Sequence, residues 1–240
     1  MRLIKSLREE IRTVRDKDPA ARGIVEVILC YPGFHAVCIH RVAHVLWNHK
    51  YYSIARCLSQ TSRFLTGIDI HPGAKIGRRF FIDHGCGVVI GETAEIGDDV
   101  LMYQGVTLGG TSLAKGKRHP TIGNNVVVGS AAIVLGPVTI GDGARIGANS
   151  VVLRTVPAEA VVVGVPGRVV EGRNGPVEVL DHGRLPDPFT EAIRVILEEQ
   201  GIIREKLADL ECIKGQSVLP ENLAQKIAVV ENVFSNGEGI

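Results

Sequence analysis

Three short stretches carry side chains that a purely structural repeat would not need. Ile82-Asp83-His84-Gly85 sets an acid beside an imidazole, Asp69 stands fifteen residues before His84, and Arg118-His119 closes a basic loop further on. A carboxylate within hydrogen-bond reach of an imidazole fixes its tautomer and stabilises its charged form. Such a pair can serve as general base toward a hydroxyl. Arg118 suits a carboxylate, which a guanidinium grips with two parallel bonds. Glu92, in Gly91-Glu92-Thr93, reads as a site carboxylate or as a surface charge, and Asp83 as a site residue or a turn residue. His40 and His44 are four apart, a metal-ligand spacing on a helix, but no third ligand of matching character accompanies them. Structural histidines are expected there, and no metal site.

The element that must position these groups is a repeat. From Ile122 to Pro157, Ile or Val recurs every sixth residue (Ile122, Val128, Val134, Ile140, Ile146, Val152), and four of the six are followed by Gly. The fifth place of each six is small or β-branched: Val126, Ala132, Val138, Ala144, Ser150, Val156. Neither a helical period nor simple strand alternation yields this pattern. A fixed six-residue repeat is the signature of a parallel β-helix, with one short strand and one corner per six. The period begins at Ile70, Ile76 and Ile82, slips by two residues, and resumes at Ile90, Ile96, Met102 and Leu108. A coil of three sixes has eighteen residues, which puts Asp69 and His84 on neighbouring coils or nearly so. Between Ala114 and Thr121 eight residues are added, among them Lys115, Lys117, Arg118 and His119. An insertion in a solenoid leaves as a loop on one face, often the binding face; the bland alternative is a solvated basic loop.

The flanks differ in kind. Residues 1–66 are expected to be helical: Leu3, Leu7, Ile11 and Val14 mark one face, and Asp18 before Pro19 fits an N-cap with proline at the first helical position. A second helix carries Ile24, Val27 and Ile28, Tyr31-Pro32-Gly33 reads as a turn, and further helices run from about Phe34 to Phe64. Residues 67–172 form the β-helix, whose end is closed by Val161–Val170. Residues 173–240 form a helical extension with a heptad-like stripe (Phe189, Ile193, Ile196, Gln200, Ile203, Leu207, Leu210) and a polar tail ending in Ile240. Net charge is +1, which argues against nucleic acid or an acidic membrane surface as main partner. Five scattered cysteines, none in a C-x-x-C pair, read as free thiols of a reducing cytoplasm. The charged N-terminus is no signal peptide, and no apolar run approaches the roughly 20 residues that span a bilayer. A six-residue β-helix is expected in a closed cyclic assembly, a threefold one suiting a triangular prism, with ligand clefts between neighbouring copies.

Several motifs resemble one family in order and distance: Asp18-Pro19, Gly33-Phe34-His35-Ala36, Gly67-Ile68-Asp69-Ile70-His71-Pro72, Asp83-His84-Gly85, Gly91-Glu92-Thr93, Val106–Thr111 and Lys117-Arg118-His119-Pro120. Together they resemble bacterial serine O-acetyltransferases of the hexapeptide-repeat class, over roughly residues 5–172 and including the helical N-terminal part. The resemblance implies a left-handed parallel β-helix and transfer of acetyl from acetyl-CoA to L-serine, giving O-acetyl-L-serine for cysteine synthesis, with cysteine as inhibitor. It implies His84 as general base oriented by Asp69, with His119 holding and activating the substrate. Arg118 would meet the serine carboxylate, Asp18 and Asp83 its amino group, Pro19 would belong to the same substrate-binding set, and Glu92 would support the site. Gly110, Thr111, Ser130 and Ala148 match positions along the pantetheine arm. A homotrimer or dimer of trimers is implied, as is docking of Ile240 to O-acetylserine sulfhydrylase. The alternatives are a hexapeptide acetyltransferase for a sugar or homoserine, and a non-catalytic scaffold for the sulfhydrylase. A γ-type carbonic anhydrase is disfavoured: residues 69–157 hold only His71, His84 and His119, with no two five apart.

Overall fold

The six-residue period becomes a three-sided parallel coil in the structure, a computed structural model that describes residues 2–170, 193–203 and 205–206. The first face stacks Asp69–Ile70, Val89–Ile90, Thr107–Gly109, Ile133–Leu135 and Val151–Val152. The second stacks Lys75–Ile76, Glu95–Ile96, Thr121–Ile122 and Thr139–Ile140. The third stacks Phe81–Ile82, Leu101–Met102, Val127–Val128, Arg145–Ile146 and Val161–Val163. The last strand, Arg168–Val170, turns back antiparallel on Val161–Val163 and closes the coil. The period follows from the geometry: one side chain per six points inward, and Ile82, Ile90, Met102, Leu108, Ile122, Val128, Val134 and Ile140 are all essentially inaccessible. The small fifth places Val126, Ala132, Ala144 and Ser150 are fully buried beside them.

Corners, not strands, set the register. Between the second and third faces Arg79, Asp99, Asn125, Gly143 and Glu159 all take positive φ, and between the third and first Gly87, Gly105, Ala131 and Asn149 do the same. From Gly87 and Asp99 onward, each of these residues donates its backbone N–H to the coil before it, as from Asn125 to the Asp98 carbonyl at 2.9 Å and from Ala131 to the Gln104 carbonyl at 2.8 Å. An Asp/Asn ladder reinforces the former corner. Asp98 Oδ1 accepts the Arg78 N–H (2.7 Å), Asn124 Oδ1 that of Asp98 (2.8 Å), and Asp142 Oδ1 that of Asn124 (2.6 Å).

Four helices precede the coil: α1 (Arg2–Lys17), α2 (Ile24–Cys30), α3 (Pro32–Asn48) and α4 (Tyr52–Thr66). Phe81, Leu101 and Val127 point outward from the third face yet are buried, because Val14, Val27 and Phe34 of the helices cover them. Lys17 Nζ donates to the carbonyls of Arg79 (3.2 Å) and Asp99 (2.9 Å), while Arg41 donates to the carbonyls of Ile76 and Gly77 and to Glu10. Helix and coil thus belong to one compact unit, residues Met1–Leu185, and Pro186–Ile240 make a second.

Two local expectations change. Asp18 caps a turn and not a helix: its Oδ1 accepts the Ala20 N–H at 2.7 Å, and α2 starts only at Ile24. Tyr31-Pro32-Gly33 does not turn the chain alone; Pro32 opens α3, where its missing N–H costs nothing. Residues 193–203 are helical, with Ile196 and Ile203 of the heptad-like stripe more than half exposed. Phe189, Leu207, Leu210 and Ile240 lie outside the described residues.

Candidate active site

The two-residue slip after Ile82 is where the first coil departs from its register. Asp69 pairs with Val89, twenty residues on, whereas Val89 pairs with Thr107, eighteen on. The added residues enlarge the corner between the third and first faces and hold His84. Its φ is +58, Gly85 follows at +82, and the Gly85 N–H closes back on the Asp83 carbonyl at 2.7 Å. His84 belongs to neither stack of left-handed corner residues. A non-glycine side chain at positive φ in an unstacked, exposed turn is a strained position of the sort that clusters at active sites. Gly33 in α3 makes the approach possible: a Cβ there would lie 2.1 Å from the Ile82 carbonyl oxygen.

Around this corner gathers an acidic group. The Tyr31 hydroxyl donates to Asp18 Oδ2 at 2.6 Å. Burial, then the Asp18 hydrogen bond and the charges of Asp18, Glu26 and Asp83, push the Tyr31 hydroxyl up. Burial, then Asp83 and Asp18, does the same for Tyr103. Asp18 and Asp83 therefore converge on one place, with Pro19 exposed beside Asp18. Two carboxylates set against protonated phenols suit an ammonium group.

The second group sits on the corner between the first and second faces. Arg118 Nη2 meets Glu92 Oε2 at 2.5 Å, and this bond, working against burial, holds the Glu92 carboxyl below the usual carboxylate range. Lys117 Nζ donates to the Thr93 carbonyl at 2.8 Å and lies 3.7 Å from Glu95. His119 is buried, its ring lying over Gly91, where a Cβ would come within 2.0 Å of His119 Cδ2. The end of the inserted loop, Lys117–His119, is thus latched to the coil, while residues 111–117 are exposed.

Asp69 and His84 lie on the same coil and not on successive ones, because the wider corner completes the turn after His84. Among the described residues no hydrogen bond joins them; the Asp69 carboxylate lies 3.7 Å from Arg63 Nη1. Gly110 and Thr111 stand on the Glu92–Arg118 corner, exposed, with Thr111 Oγ1 packed over Gly136. Ser130 and Ala148 occupy the His84 corner, one coil apart. Of the paired histidines, His40 is buried with its ring 5.6 Å from that of His44, whose Nδ1 is 2.8 Å from the Pro72 carbonyl. Among the described residues no three His, Cys, Asp or Glu side chains converge as a metal site.

Sequence reasoning passed over Thr93, Tyr31 and His71. His71 packs its ring edge-on against Trp47 at 4.9 Å, and burial, then the Arg56 charge, pushes its imidazole down to about 4. Thr93 stands inside one of the family motifs, but only its neighbour Glu92 carries a role there.

Residues 119–154 match the family described as bacterial transferase hexapeptide (six repeats). A serine acetyltransferase of Bacillus pumilus is 53% identical over 214 residues, 89% of this chain and 99% of the relative. Solved structures align as well. A serine acetyltransferase in complex with cysteine has 43% identity and a TM-score of 0.69, covering 71% of this chain and 70% of its own. The Neisseria gonorrhoeae serine acetyltransferase in complex with serine has 38% identity and a TM-score of 0.68, covering 71% and 69%.

Proposed function

The chain belongs to the serine acetyltransferase family, and from that premise we propose how its two corners divide the work of one reaction. It is an acyltransferase acting on serine in cysteine biosynthesis, and acetyl-CoA is the acyl donor. His84 takes the serine hydroxyl proton as the oxygen attacks the thioester carbonyl. The tetrahedral intermediate collapses, the C–S bond breaks, and the proton passes from His84 to the departing CoA sulfur. No covalent enzyme intermediate is needed; holding both substrates together supplies much of the rate. Asp18 and Asp83 receive the ammonium group of serine, and Arg118, held by Glu92, its carboxylate. Asp69 acts as orienter of His84 once it leaves Arg63.

The carrying observation is the separation of the two groups. His84, Asp83, Ser130 and Ala148 belong to one corner of the coil, with Asp18 of the α1–α2 link set against the same Tyr31 as Asp83; Glu92, Arg118, His119, Gly110 and Thr111 belong to the next corner. One small amino acid needs both sets. A closed threefold assembly of left-handed prisms brings the first corner of one copy against the second corner of its neighbour, with the pantetheine arm along the same cleft. Cysteine, which differs from serine by sulfur in place of the hydroxyl oxygen, fits the same groups and competes there. Four described cysteines are unpaired thiols, consistent with a cytoplasmic setting. Ile240 is retained as the docking residue for O-acetylserine sulfhydrylase, tested by deleting it and measuring affinity.

The test of the reaction is thiol release from acetyl-CoA with L-serine as acceptor, with homoserine and sugars as controls. His84→Asn is the informative variant, because asparagine tolerates positive φ and leaves the turn intact. Serine-dependent turnover falling ~100-fold or more in a folded variant supports the base assignment. Equal turnover in the variant would remove His84 from that role.

A further inference from the structure

The geometry points to Thr93 as the residue that fixes the proton of His119 on Nε2, so that His119 meets the substrate as a permanent neutral hydrogen-bond donor and not as a base. The inference rests on the reading of His119 as a substrate-holding residue.

Thr93 makes an unusual number of bonds to one loop. Its Oγ1 accepts the backbone N–H groups of Arg118 (3.0 Å) and His119 (3.1 Å), using both acceptor positions of a hydroxyl. The hydroxyl hydrogen is then left for His119 Nδ1, 2.8 Å away. The Thr93 backbone N–H also points at Nδ1, at 3.2 Å. The backbone contact identifies the tautomer, because a peptide N–H can only donate, while the hydroxyl, at the shorter distance, makes the stronger of the two bonds and also anchors the loop. Two donors face Nδ1, so Nδ1 carries a lone pair and the proton resides on Nε2. That nitrogen lies over Gly91 and Gly110: a Cβ on Gly110 would be 3.2 Å from it. Glycine at both places leaves the N–H reachable.

The same arrangement opposes a charged ring, since an imidazolium would aim a second N–H at two donors. The charged and titratable groups around it are Lys117 and Arg118 of its own loop and Glu92 and His71 of the underlying corner. Burial, then Arg118, pushes the His119 imidazole down; Glu92 opposes this and Lys117 adds to it.

The experiment uses the full-length protein labelled with 15N-histidine, the His119 signals being assigned by their loss in His119→Gln. The expected spectrum has a pyridine-type Nδ1 and a protonated Nε2 that do not change between about pH 5.5 and 8, where an ordinary imidazole titrates. Thr93→Val keeps the shape but removes the hydroxyl; its His119 should titrate within that range, and kcat/KM for serine should fall ~10-fold or more. Thr93→Ser should restore both. A wild-type His119 that titrates normally or carries its proton on Nδ1 overturns the proposal, as does a Thr93→Val protein whose His119 spectrum matches wild type despite lost activity. The spectrum is read without substrate, so the outcome for Thr93 is independent of the turnover assay that tests the reaction.

Discussion

Glu92 and Arg118 show how one pair can serve two partners. A guanidinium has five N–H donors in a fixed fork, and Glu92 occupies Nη2 from one side. Lysine at this position would keep the charge and lose the fork. Arg118→Lys is therefore expected to raise the KM for serine by ~10-fold or more with a smaller change in kcat, measured in the thiol-release assay. The pH dependence has a definite sign. Because Arg118 depresses the Glu92 carboxyl, the pair is fully formed above the ordinary glutamate value of about 4.3 and is lost only as pH falls through the lower folded value. The KM for serine should show no Glu92 titration from neutral pH down to about 5, and a steep rise above pH 5 in the wild type that Glu92→Gln abolishes would contradict this.

At the scale of elements, the helices matter for where they press. Gly33 sits in the first turn of α3 against the Ile82 carbonyl, the residue before Asp83-His84. The neighbour is backbone, so it cannot swing away. Gly33→Ala should cost about 1–3 kcal/mol of stability by overpacking, and it should lower turnover beyond what that loss explains, because relief must move either α3 or the catalytic turn. Thermal unfolding read beside specific activity checks both parts; an alanine variant as stable and active as wild type would show that the contact is easily relieved. Elsewhere the corner stacks do comparable work. Lys17 and the bonds from Arg78 and Arg79 to Glu9 clamp α1 to one corner, and Arg78, with Arg79, holds the Glu9 carboxyl below its usual range, so this clamp too is present at neutral pH and loosens only in acid.

Across the whole molecule, the two-corner reading predicts complementation. His84→Asn and Arg118→Ala proteins are each expected to be inactive alone. Unfolded and refolded together, or co-expressed, random mixing should restore roughly a quarter of the wild-type sites, those that join an intact His84 corner to an intact Arg118 corner of the neighbouring copy. Absence of recovery in mixed assemblies would place both groups in one chain. Cysteine should raise the apparent KM for serine in the same recovered sites.

The coil was legible without coordinates. Ile or Val at every sixth place, with a small residue two places before it, specifies a core only one side chain wide, and no other packing explains that period. The interruptions were legible too, and both mark the site: two residues after Ile82 and eight before Ile122 are the places where the coil bulges. Phe81, Leu101 and Val127, apolar beside apolar neighbours, carried a signal that a second layer covers the third face. Pairings across corners were not legible. Asp69 is read as the orienter of His84, but their separation along the coil says nothing about side-chain direction, and it could not reveal that Arg63 at the end of α4 stands 3.7 Å from the Asp69 carboxylate. Thr93 is the clearest case. In sequence it is one threonine after Glu92; only when the loop returns, twenty-five residues later, do two backbone N–H groups and an imidazole nitrogen close on its hydroxyl. Short-range periodicity fixes which side chains face inward, and hydrogen bonds between distant segments fix protons and charges; the second cannot be read until the first has folded.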